Sequence, residues 1–436
     1  MRFATCFGDR IAGPMCTCHL WVLAVVLVIG QAFSAGTTFA AGSIYDYTYP
    51  GDSRSTRMWV SPNTDSIKGI LIVGNGAGGD NRSAVSQKQY QLFGELYNFA
   101  VVGTSQWGNM SGSEISMWDQ NLSGLAFASH HPELVNAPWA PIGLSNGGQM
   151  SYGFNALRPE KVLAFIANKG AYYNDLLPTV EALKTPGILI AGELDTALRR
   201  TNIHSLFTNN RPRGALWSWV EEENTAHADV ADRLVLPLMS EAIRLRYPQD
   251  QTPTATSGVT LRQLNETDGW LIDVSTPVSK LTEMASYANY TGDRNIAGWL
   301  PDEGMANLFR AFSTYDKDVS FVPSPDVSTS DKLPLNVALQ INTSAVPNWS
   351  EVELFDYGDS VATIFSNGSP SSSVTISTTL LYPGVHGLFA LVTHADGVTV
   401  STTNAIAYIT VPEPGTLVML AAGLLTALAY AGRKRR

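Results

Sequence analysis

Between about Tyr45 and Pro248 the chain alternates between two patterns. Five short runs are apolar at nearly every position: "GILIVGN" (Gly69–Asn75), "NFAVVGTS" (Asn98–Ser105), "VLAFIANKG" (Val162–Gly170), "GILIAGE" (Gly187–Glu193) and "ALWSWV" (Ala215–Val220). A short run without polar alternation fits a strand buried on both faces. Between the runs lie stretches with helical spacing, such as Ser83–Tyr97 and Met117–His130. Strands alternating with helices predict a mainly parallel sheet covered by helices on both faces. Ahead of them, "YDYTYPGDSRSTRMWVSP" predicts an antiparallel strand pair.

The pattern changes after Pro248. "RYPQDQTPTATSG" (Arg246–Gly258) has the composition of a linker. In the piece that follows, up to about Asp318, Gly298 and Pro301 precede an amphipathic helix expected from Asp302. From about Val319 to Ile409, short alternating strands such as "VELFDYG", "SSVTIST" and "AIAYITV" predict an all-β sandwich. The expected divisions are 42–248, 249–318 and 319–411, between two terminal signals, 1–41 and 412–436.

At the N-terminus, Arg2 and Arg10 precede the apolar run "LWVLAVVLVIG", and small residues follow. This is the layout of a signal peptide, with cleavage expected between Ala35 and Ala41. At the C-terminus, Val411-Pro412-Glu413-Pro414 precedes the apolar stretch Gly415–Ala431, and Arg433–Arg436 closes it. A span followed by a basic cluster stops in a bilayer with its charges in the cytoplasm. The three-part pattern closely resembles the PEP-CTERM sorting signal. That resemblance implies cleavage by an exosortase after transient anchoring in the inner membrane. It also implies delivery to the surface or exopolysaccharide matrix of a Gram-negative bacterium.

Composition narrows the class. The 436 residues are 44% hydrophobic and 15% charged, enough for a substantial core and too long for one ordinary domain. The net charge is −10, and −14 without the two ends. No Lys/Arg run remains, which argues against nucleic acid as a partner. Cys6, Cys16 and Cys18 all lie in the N-terminal segment, so the mature chain is expected to have no disulfide.

The candidate chemistry centres on "APIGLSNGGQMSYGF" (Ala140–Phe154). Gly143, Ser145 and Gly147 form G-x-S-x-G between an apolar strand and a helix, the pattern of a nucleophile elbow. A serine needs a base, and on such a sheet the acid and then the histidine follow it in sequence. Asp195 in "GELDTALRR" follows a later strand, with Glu193 and Asp175 as alternatives. His227 in "EEENTAHADV" follows the last strand of the first domain. The others fit less well: His19 is in the signal peptide, and His130 and His131 precede the serine. His204 comes too early, and His386 and His394 belong to the sandwich. The glycine-rich loop "LIVGNGAGGD" (Leu71–Asp80) is positioned to offer a backbone N–H to a developing oxyanion. It contains G-x-G-x-x-G, but no Lys-Ser/Thr follows as in a phosphate loop.

These residues resemble the α/β-hydrolase superfamily over Tyr45 to Pro248. "NGAGG" stands where many relatives have His-Gly-x-Gly, with Asn75 in place of the histidine. The resemblance implies the N–H groups of Ala77 and Asn146 as oxyanion donors. "GLSNGGQMS" is most similar to secreted esterases of the polyhydroxyalkanoate-depolymerase and feruloyl or acetyl-xylan esterase kind. "VELFDYGDSVATI … YPGVHGLFALVTHADGVTV" resembles the immunoglobulin-like modules of secreted bacterial enzymes. The expectation is therefore a secreted serine hydrolase, a carboxylic ester hydrolase without metal or cofactor. The alternatives are a serine amidase or peptidase, or a non-catalytic matrix protein that uses the fold as a scaffold.

Overall fold

The computed structural model describes residues 42–173, 177–227, 232–274, 281–315, 317–322, 336–380 and 382–410. Both terminal signals and Asp175 lie outside these residues.

The first eight strands form one sheet. β1 (Ser43–Thr48) pairs antiparallel with β2 (Ser55–Val60), and β2 pairs antiparallel with β4 (Phe99–Ser105). β3 (Gly69–Gly74) lies parallel between β4 and β5 (Trp139–Gly143). β6 (Phe165–Asn168), β7 (Gly187–Gly192) and β8 (Trp217–Glu222) are also parallel. Parallel bridges at Trp139–Val162 and Leu144–Asn168 join the two halves. The order is β1-β2-β4-β3-β5-β6-β7-β8.

The unbroken apolar runs follow from helices on both faces. Successive strand residues point to opposite sides. Leu71, Val73, Ile142, Ile166 and Ile190 pack on the side of α1 (Lys88–Tyr97). Ile70, Ile72, Val102, Phe165 and Leu189 pack against α2 (Gly112–Ser129) and α3 (Asn146–Leu157). A short α4 (Val180–Leu183) and α5 (Ala197–Asn210) share that second side, and α6 (Asp232–Arg246) lies on the first.

The stretch with linker composition is stitched to this unit. Asn136 Nδ2 donates to Thr254 O at 2.9 Å, and in the piece that follows, Ala297 O accepts from Nε of the buried Arg211 at 2.7 Å. Within the stretch, Gln251 N–H closes a turn on Pro248 O at 3.2 Å and Thr254 N–H donates to Ser257 O at 2.9 Å. β9 (Trp270–Ile272), β10 (Met284–Ser286) and β11 (Gly298–Leu300) make a small antiparallel sheet. The helix expected from Asp302 is α7 (Glu303–Ser313), capped where Met305 N–H donates to Asp302 Oδ1 at 2.9 Å.

Two antiparallel sheets follow. One holds β12 (Ser320–Phe321), β13 (Asn336–Asn342) and β16 (Ser373–Thr379). The other holds β14 (Glu351–Asp356), β15 (Asp359–Phe365), β17 (Gly384–Thr393), β18 (Val400–Thr402) and β19 (Ile406–Thr410). Val337, Leu339 and Ile376 of the first meet Val352, Leu354 and Leu388 of the second in one core, as in a sandwich. Its other side docks on the first domain. Val385, Phe389, Ala405 and Ile409 belong to the same core as Met239, Ile243, Phe309 and Phe312. A Cβ on Gly387 would lie 2.6 Å from Leu308 Cδ2, so α7 sits directly on β17. Among the described residues no helix is long and apolar enough to cross a membrane.

Candidate active site

β5 ends at Gly143 and α3 begins at Asn146. Ser145 between them has φ 61° and ψ −118°, a backbone state that non-glycine residues rarely hold. Its hydroxyl makes no capping bond to the helix, so the turn leaves Oγ uncommitted to α3. The strained state persists because the backbones around it touch. A Cβ on Gly147 would lie 2.7 Å from Gly74 O, and one on Gly143 would lie 2.9 Å from Gly147 Cα. Ser145 N–H donates to Asn168 O at 2.9 Å, which ties the turn to the end of β6.

The loops after β7 and β8 are laced together. Glu193 N–H donates to Glu222 O at 3.0 Å and Leu194 N–H to Thr225 O at 2.9 Å. Asn224 N–H donates to Glu193 Oε2 at 2.8 Å, so Glu193 braces the second loop. This lacing brings Asp195 Oδ2 to 2.9 Å from His227 Nδ1. Asp195 Oδ1 accepts from Thr196 N–H at 2.7 Å, and its side chain is 2% exposed. His227 is 36% exposed. Ser145, His227 and Ala77 line one cavity of about 800 Å³. Among the described residues no hydrogen bond joins Ser145 Oγ to His227; the formed contact is the one to Asp195.

Asn75 organises the glycine-rich loop. Only 1% exposed, it accepts at Oδ1 from Thr104 Oγ1 (2.8 Å) and Trp107 N–H (3.2 Å). Its Nδ2 donates to Gly76 O at 2.7 Å and Trp107 O at 3.0 Å. Asn146 Nδ2 donates to the same Trp107 O at 2.7 Å. One carbonyl therefore spans the segment before Ala77 and the first turn of α3. Gly79 N–H closes the loop on Gly76 O at 2.9 Å.

A buried ion pair was not foreseen from the sequence. Lys169 is fully buried, and its Nζ donates to Glu222 Oε2 at 2.7 Å; the other Glu222 oxygen takes Arg233. Glu222 O also receives Glu193 N–H, so the pair underlies the loops that carry Asp195 and His227. A lysine at the end of an otherwise apolar strand run was the available signal.

The other described histidines have structural places. His130 ends α2 with φ 60°, and His131 Nδ1 lies 2.8 Å from Glu133. His204 packs on Trp219, and burial lowers its pKa from the ordinary value. His386 is buried against Asp356 at 2.6 Å, and His394 Nε2 lies 2.9 Å from Ser401 Oγ. Among the described residues no group of three or more His, Cys, Asp or Glu side chains is placed to hold a metal ion.

Residues 410–436 match the PEP-CTERM protein-sorting motif family. No curated protein matches the chain. Several solved structures overlap it in part. Poly(aspartic acid) hydrolase-1 from Sphingomonas sp. KT-1 is 15% identical, with a TM-score of 0.35 over 43% of this chain and 94% of its own. A dienelactone hydrolase from Anabaena variabilis is 16% identical, with a TM-score of 0.31 over 43% and 89%. A Pyrobaculum calidifontis esterase is 13% identical, with a TM-score of 0.33 over 48% and 83%.

Proposed function

We propose that the chain is an exported serine hydrolase of the α/β-hydrolase kind, acting on carboxylic esters and carrying an immunoglobulin-like sandwich. The observation that carries this reading is the strained Ser145 on a cavity shared with a His227 already bonded to a buried Asp195. Ser145 Oγ attacks the ester carbonyl carbon while His227 Nε2 takes its proton. Asp195 holds Nδ1–H and stabilises the imidazolium. The N–H groups of Ala77 and Asn146 receive the oxyanion. His227 then protonates the leaving alcohol, and water, activated by the same imidazole, releases the acid from Ser145. The Ser145–His227 contact tightens when substrate excludes water, as is common for sites read without ligand.

The sorting motif supports export followed by exosortase cleavage near Pro412–Pro414, with the hydrolase facing outward. Transient inner-membrane anchoring by Gly415–Ala431 is part of this proposal.

Fluorophosphonate labelling tests the chemistry. The folded chain is expected to be labelled at Ser145, and Ser145→Ala to lose both label and ester hydrolysis by at least about 10³-fold. Equal labelling of Ser145→Ala would sink the reading. A panel of acyl esters, polyesters, acetylated polysaccharides and amides then identifies the substrate.

A further inference from the structure

A second cavity, of about 750 Å³, lies where the sandwich meets the α/β unit. It shares no lining residue with the cavity of Ser145. Its walls come from the end of α1, from α6, from the start of α7 and from two sandwich loops. Domain junctions are favoured places for small-molecule sites, and the volume falls in their usual range of about 300–1,000 Å³.

Three tyrosines supply aromatic surface. Tyr97 Oη lies 2.5 Å from Ser240 Oγ, and Tyr357 Oη donates to Val385 O at 3.3 Å. Tyr382 rests on His386, with ring centroids 4.9 Å apart, and stays 51% exposed. All three rings are therefore braced before a ligand arrives, which lowers the ordering cost of binding.

The polar wall is largely paired within itself. Arg244 holds Glu241 and also lies 2.8 Å from Asp302. Burial pushes the Glu241 carboxyl up to about 7 against the pull of Arg244, so near neutrality it both donates and accepts. Glu303 and Asp359 add negative charge against the single positive charge of Lys68, so the lining is net acidic, which disfavours phosphates, sulfates and carboxylates. Arg244 meanwhile pairs with Glu241 and Asp302, and its charge together with that of Lys68 opposes a bound cation. The surface suits a neutral ligand rich in hydroxyls, with apolar faces. Pyranose rings have both features: C–H faces that lie on aromatic rings, and a rim of hydroxyls.

We propose that the cavity bounded by Tyr97, Tyr357 and Tyr382 and the Glu241–Arg244–Asp302 cluster binds a segment of neutral oligosaccharide. The sandwich then supplies one wall of a binding site and leaves the Ser145 cavity free. The proposal stands apart from the catalytic reading, since it needs no activity at Ser145.

Calorimetric titration of the full chain carrying Ser145→Ala tests it. The probes are neutral tri- to hexasaccharides of glucose, xylose, galactose and mannose, with spermidine and tetramethylammonium as cationic controls. At least one sugar is expected to bind with Kd of about 1 mM or tighter. Tyr382→Ala should weaken it about tenfold or more. Tyr382→Trp, which keeps a stacking face, should restore it, and Phe127→Ala on the exposed face of α2 should leave it unchanged. Thermal melts establish that each variant is folded. The proposal is overturned if no sugar binds at about 10 mM, if Tyr382→Ala binds as well as the parent, or if a cationic control outcompetes every sugar.

Discussion

Asn75 shows how one side chain can take over a structural task. In the family that the sequence resembles, many members carry a histidine where this chain has Asn75, which left the loop geometry open. The amide satisfies both its oxygen and its nitrogen inside the fold, against Thr104, Gly76 and Trp107. Asn75→Ala should leave those groups unpaired, at a cost of about 1–3 kcal/mol. It should also lower kcat more than it raises KM; denaturant curves and ester kinetics check both. The Lys169–Glu222 pair makes a further prediction. Lys169→Met removes the partner of one oxygen of a carboxylate that is 3% exposed while Arg233 keeps the other, and should cost about 1–3 kcal/mol; Lys169→Met with Glu222→Leu should recover part of it, since Arg233, 33% exposed, can turn to water. Glu241 gives a pH signature. Its folded value of about 7 lies above the ordinary 4.5, so the native state holds a proton that the unfolded chain releases. Its contribution is fully present below about pH 4.5 and is lost as pH rises through about 7, at up to about 1.4 kcal/mol per unit. Stability curves of wild type and Glu241→Gln at about pH 5 and pH 8 should therefore converge at the acid end and separate at the alkaline end.

At the scale of elements, strands were easier to read than helix starts. The apolar runs found β3, β4, β6, β7 and β8 because burial on both faces leaves no polar position to confuse the pattern. α2 begins at Gly112, ahead of the expected Met117, because Ser111 and Glu114 form its cap and its first turn is polar. The placement of Ser145, Asp195 and His227 was legible because each follows its own strand. The lacing of the two loops was not, since Leu194 and Thr225 meet only when β7 and β8 pair in register. The same holds for Lys169 and Glu222, which are 53 positions apart. The elbow itself gives a steric prediction. Gly147→Ala drives a methyl to 2.7 Å from Gly74 O, so α3 must shift away from β3. Hydrolysis and fluorophosphonate labelling should both fall at least about tenfold, and Tm should fall with them.

For the whole molecule, the sandwich does more than hang from a linker. The sequence hint is "GVHGLFALV" in β17, buried from Gly384 to Ala390 although a sandwich strand with one wet face would alternate. Its second side is covered by α6 and α7 rather than water. A chain ending at Pro248 would expose that apolar face of α6, and we expect it to aggregate or melt well below the chain ending at Thr410. Calorimetry of the longer chain should show one cooperative transition in place of two, because one core serves both parts.

That shared core also sets an order in time. A chain emerging N-terminus first presents the whole Ser145 sheet early, yet Ala405 and Ile409, which seal its outer helices, come last. Local contacts form quickly, but closing a core across most of the chain must wait for its final strand. β19 ends at Thr410, where the match to the sorting motif begins. Folding is thus completed by the residues that directly precede the sorting tail. Cleavage within the tail would therefore leave the last strand in place, whereas a chain cut upstream of Ile406 is expected not to reach that state.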